Sequence, residues 1–83
     1  MIIHLKTVCA EIIGSIPNAE YTVDPGVTAK QALCLCLESQ GMNVPEDDQL
    51  SGLLYLVNNR LATADTTLNE GDRLMVLRPA RAG

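Results

Sequence analysis

Few side chains in this sequence can do covalent or metal chemistry, and their spacing keeps them apart. There is one histidine, His4, and there are three cysteines, Cys9, Cys34 and Cys36. General acid–base work or a histidine-based metal site normally gathers several such groups in one motif. His4 has no such company and reads as a surface residue of a strand. Cys34 and Cys36 lie two apart on a predicted helix and so point about 160° apart, which stops them gripping one metal. With Cys9 they do not match the four-cysteine loop of a plant-type iron–sulfur site, and all three are expected to be structural or incidental. No Ser-His-Asp set, phosphate loop or Cys-His pair is evident. What stands out is the end of the sequence. Arg73, Arg78 and Arg81 crowd it, and Pro79 leads into Ala80, Arg81, Ala82 and Gly83.

Composition narrows the function classes further. The sequence has 83 residues, enough for one domain and too few for two. A domain of this size buries only roughly 60–65% of the surface its unfolded chain exposes, so little of the core can form a deep active site. Hydrophobic residues make up 47% and charged residues 19%, a globular profile. The only aromatics are Tyr21 and Tyr55, too few for a base-stacking platform on single-stranded nucleic acid. The formal net charge of −4 argues against binding a phosphate backbone and suits a basic protein partner. Glu46, Asp47 and Asp48 read as a solvated acidic loop. The odd cysteine number and the lack of a charged-then-apolar leader lead us to expect a reduced, cytoplasmic protein. No apolar run reaches the ~20 residues that span a bilayer.

The elements follow from periodicity and punctuation. Ile2 to Val8 alternates and predicts a strand with Ile3 and Leu5 on one face and His4 and Lys6 on the other. Cys9 to Gly14 fits one helical turn. Glu20 to Val23 predicts a second strand, close enough to form an antiparallel hairpin. Asp24-Pro25-Gly26 is a turn. Thr28 opens a helix, with Gln31 completing a capping box. Ala29, Ala32, Leu33, Cys36, Leu37 and Gln40 share one helical face, and Gly41 ends the helix. Asn43 to Ser51 reads as a polar loop. Leu53 to Val57 predicts a buried or two-faced strand. Asn58-Asn59 suits a tight hairpin turn into a short strand from Arg60 to Thr63. Asp65 to Leu68 is a turn or a 3₁₀ piece, and Glu70-Gly71-Asp72 turns into a last strand from Arg73 to Arg78. One main helix packed across a mixed sheet of about five strands is an α+β layer pair. We place the domain at residues 1–79 and a flexible tail at 80–83.

Val57-Asn58-Asn59-Arg60-Leu61, then Leu68-Asn69-Glu70-Gly71-Asp72-Arg73-Leu74, then Val76 to Gly83 resemble the MoaD/ThiS family. Its members are the molybdopterin synthase small subunit and the thiamine sulfur carrier. The turn from Leu68 to Asp72 is the most specific match, and Cys9 to Gly14 resembles the family's short helix after its first strand. Asn59 stands where the family often has Gly, no aromatic lies on the partner-binding face, and the tail ends Ala82-Gly83 rather than Gly-Gly. The resemblance implies a ubiquitin-like β-grasp fold and a sulfur carrier that is not itself an enzyme. An E1-like adenylating enzyme would use ATP to activate the Gly83 carboxylate. The adenylate would become a thiocarboxylate, most simply for molybdopterin (molybdenum or tungsten cofactor) synthesis. The carrier would bind no cofactor itself.

The residues suit that chemistry. Glycine lets a terminal backbone thread a narrow channel without a Cβ clash. Pro79 stiffens the tail base and keeps it out of a sheet. Arg78 and Arg81 can pair with acidic groups or phosphates. In the last strand Leu74 and Val76 should face the helix, leaving Met75 and Leu77 outward, with Leu54, Leu56 and Leu61 beside them. By resemblance, Leu61 and Leu77 occupy positions that contact the large synthase subunit, and residues Arg78, Pro79, Ala80 and Arg81 extend that contact. Exposed apolar patches on small monomers usually mark partner sites; the alternative is that a strand, loop or second subunit covers this one. Other roles stay open: a carrier for thiamine or another sulfur pathway, a ubiquitin-like modifier joined to lysines, or an interaction module whose tail does nothing.

Overall fold

A computed structural model describes residues 1–8 and 16–78. The expected helical turn from Cys9 to Gly14, the tail, and the boundary drawn at residue 79 lie outside the described residues. Among the described residues, five strands and two helices run in the order β1 (Ile2–Val8), β2 (Ala19–Thr22), α1 (Ala29–Ser39), α2 (Asp47–Ser51), β3 (Leu54–Val57), β4 (Arg60–Ala62) and β5 (Arg73–Leu77). The sheet order is β2-β1-β5-β3-β4. β1 and β5 pair in parallel at its centre, and the other neighbours are antiparallel.

α1 forms where its cap and stripe require. The Thr28 hydroxyl accepts from the Gln31 amide, and the Gln31 side chain accepts from the Thr28 amide. Such a cap is worth about 1 kcal/mol. The next free amides of the first turn are also satisfied: Ala29 N donates to Thr66 O at 2.8 Å and Lys30 N to Ala64 O at 3.0 Å. Ala29, Ala32, Leu33, Cys36 and Leu37 are all buried against the sheet. Gly41 ends the run at φ 69, a left-handed conformation that side chains resist. From the sheet, Ile3, Leu5, Tyr55, Leu74 and Val76 complete the core.

Asn43 to Ser51 is not wholly loop: Asp47 to Ser51 forms α2. Two effects outweigh its polar composition. Asp47 and Asp48 sit in the first helical turn, where the helix dipole favours negative charge. Leu50 is buried, and its carbonyl accepts the Tyr55 hydroxyl at 2.7 Å. Lys30 of α1 also pairs with Asp47. The stretch from Asp65 to Leu68 is a turn carrying a bridge between Thr67 and Thr28, with no 3₁₀ piece.

The segment from Asn58 to Arg73 is a latch. Asn58 and Asn59 take φ 53 and 66, the paired positive angles of a type I′ hairpin. The Asp72 carboxylate accepts from the Asn69 amide at 2.7 Å and from the Asn58 side chain at 3.0 Å. Asn58 Oδ1 accepts from the Arg73 amide, also at 3.0 Å. Leu68 is buried, and Gly71 sits at φ 81. The Leu-x-Glu-Gly-Asp run therefore combines a core anchor, a residue free to turn and a carboxylate that ties the β3–β4 hairpin to the start of β5.

Candidate functional site

Strand alternation sends one set of side chains into the core and the other to the uncovered face of the sheet. On that second face the register aligns three cross-strand rows. Val8, Leu77 and Leu54 form the first, and Lys6, Met75, Leu56 and Leu61 the second. Glu20, His4 and Arg73 form the third. Leu54, Leu56, Met75 and Leu77 are half-buried, while Val8 and Leu61 are 55% and 74% exposed. The expected sidedness of β5 holds: Leu74 and Val76 are 1% and 0% exposed, and Met75 and Leu77 face out. Val8 joins the patch, although sequence reasoning missed it; the alternation that placed His4 and Lys6 outward also points there. Leu54, Leu56, Leu61, Met75 and Leu77 come together as expected, and β5 leads from this face to exposed Arg78. Pro79, Ala80, Arg81, Ala82 and Gly83 lie outside the described residues.

The patch carries a test of its own. Replacing Leu77 by Glu is expected to leave the domain folded, with a loss of about 1 kcal/mol, the span of strand propensities. Binding of a partner that seats on this face, read by titration calorimetry, is expected to fall at least tenfold. A loss of thermal stability as large as that of a core truncation would instead place Leu77 in the core.

The other candidate groups do different work. Cys36 is buried among core side chains, and that burial pushes its thiol up to about 11. Burial, and then the charge of Glu38, raise Cys34 as well. Burial thus disfavours the thiolate, the form that attacks electrophiles and binds metals, at both positions. They face different surroundings, as spacing on a helix requires: Cys36 is buried and Cys34 half-buried. His4 is exposed, with Nε2 3.5 Å from the Glu20 carboxylate. Among the described residues no three His, Cys, Asp or Glu side chains are grouped to hold a metal ion, and no helix is long and apolar enough to cross a membrane.

A mixed five-stranded sheet gripping one main helix, with its last strand at the centre, defines a ubiquitin-like β-grasp protein. Small archaeal modifier protein 1 of Haloferax volcanii has the same architecture. One crystal structure of it matches with a TM-score of 0.65 at 26% identity, covering 100% of both chains. A second, with a TM-score of 0.64 and again 26% identity, covers 95% of this chain and 98% of that one. No protein-family model matches the chain, and no curated protein matches it by sequence. The similarity thus supports a ubiquitin-like modifier fold, a coarser result than the MoaD/ThiS resemblance read from the sequence.

Proposed function

We propose that this chain is a ubiquitin-like sulfur carrier that docks through its open sheet face and is activated at the Gly83 carboxylate. The observation that carries this reading is the continuity of β5. The strand supplies Met75 and Leu77 to the apolar face and then runs directly toward the tail. A partner seated on that face would hold the tail over its own active site, so that positioning comes from the carrier and catalysis from the enzyme. An E1-like enzyme would join the carboxylate to ATP, releasing pyrophosphate. Attack on the acyl-adenylate by a sulfur nucleophile of the hydrosulfide class would expel AMP and leave a thiocarboxylate. Molybdopterin synthesis is the acceptor pathway we favour, on the sequence resemblance from Val57 to Gly83.

The name of the structural neighbours favours a second reading, in which the same activated carboxyl is joined to lysines of other proteins. Intact-mass spectrometry of the protein purified from its own cells decides. A gain of about 16 Da at a C-terminal Gly83, oxygen exchanged for sulfur, is expected for the carrier. An isopeptide adduct identifies a modifier. An unmodified tail, or a chain continuing uncut past Gly83, overturns both.

A further inference from the structure

The net charge of −4 points to a basic partner, but charge is not evenly spread over the two layers. Asp24, Glu38, Glu46, Asp47, Asp48 and Asp65 belong to the helices and the connections flanking them. The only lysine of that layer, Lys30, is already paired with Asp47. The open sheet face is the reverse. His4 and Arg73 are register partners on β1 and β5, and Lys6 stands two residues along, opposite Met75. With Asn59, Leu5 and Met75 they line a cleft of about 230 Å³. Lys6 and Arg73 have no ion-pair partner among the described residues. Of the carboxylates of this layer, Glu20 faces His4, Glu70 accepts from the Ile2 amide, and Asp72 is committed to Asn58 and Asn69.

From this arrangement we infer that the docking face recognises an acidic protein surface, and that the cleft between His4, Lys6 and Arg73 receives one of its carboxylates. The inference rests on the reading of the open face as the docking surface. A guanidinium and an ammonium at one opening provide charge-assisted donors for a carboxylate. Met75 on the floor continues into the apolar rows of Leu56 and Leu77. The face is therefore graded: basic at Arg73 and apolar at Leu77, about 13 Å away along β5. A complementary partner carries apolar side chains where the tail departs and acidic ones at the opposite end, which also fixes the direction in which it sits. Charge matching of this kind sets orientation and association rate more than total affinity.

The test titrates the ¹⁵N-labelled full chain with a capped Glu-Leu-Glu-Leu-Glu-Leu peptide and with its Gln-Leu counterpart. The expected amide shifts fall on Lys6, Arg73, Met75 and Leu77. The Glu peptide is expected to bind at least tenfold more tightly than the Gln peptide, with the difference shrinking as salt rises. Lys6→Glu, and separately Arg73→Glu, each remove that preference while leaving the remaining spectrum folded. Equal binding of the two peptides, shifts confined to the α1 face, or no shifts at millimolar peptide overturns the inference. None of these outcomes touches activation at Gly83, which mass spectrometry reads separately.

Discussion

Deleting Gly83, or adding residues after it, is expected to abolish ATP–pyrophosphate exchange by the cognate E1-like enzyme while leaving the fold untouched. Removing one residue withdraws the reacting carboxyl by about 3.5 Å. Misplacement of a reacting group by about 1 Å already costs on the order of 10²-fold in rate, so the loss should exceed that. The deletion also makes Ala82 terminal and brings a Cβ to the point where glycine offers none. Circular dichroism and melting temperature should be unchanged. Exchange at the wild-type rate with the deleted form would end the carrier and modifier readings together.

The largest expected effect on stability is at Leu33. Its side chain is 0% exposed, at the middle of the α1 stripe that covers the sheet. Leu33→Ala removes buried methyl groups and leaves a cavity that the two layers close only in part, at a cost of about 3 kcal/mol. A chain this short has roughly 4–12 kcal/mol to lose. The melting temperature should therefore drop by roughly 12–24 °C, read by calorimetry. The matching truncation Leu61→Ala, at a position 74% exposed, should change it little. A small effect at Leu33 would mean that α1 does not cover the sheet as described.

Most of the fold is written in local signals, and those were legible. Thr28 with Gln31, Asn58-Asn59, and Glu70-Gly71 each solve a problem of a few residues: an unsatisfied amide, a tight reversal, a positive φ. Alternation sufficed to place Leu74 and Val76 inside and Met75 and Leu77 outside, so the uncovered apolar face was readable before any coordinate. α2 was hidden because tertiary effects hold it, the burial of Leu50 and the Tyr55 hydroxyl on its carbonyl, against a composition that reads as loop. The cleft was hidden for a related reason. Arg73 lies far in sequence from His4 and Lys6, and only the parallel β1–β5 register brings it beside them. Net charge averaged over the chain pointed to the opposite kind of partner.

That same register governs when the domain can form at all. The chain's outer strands in sequence are its inner strands in space, so β1 and β2 make one hairpin, β3 and β4 another, and β5 is the seam between them. Until residue 77 is free to dock, the nascent polypeptide holds two disconnected ribbons, each marginal by itself in water. Acquisition of structure is then a late, all-or-none event dominated by distant contacts, and correspondingly slow. A product cut short before β5 would expose the edges of both ribbons that β5 otherwise pairs. A molecule with the complete sheet has therefore already been read through its last strand.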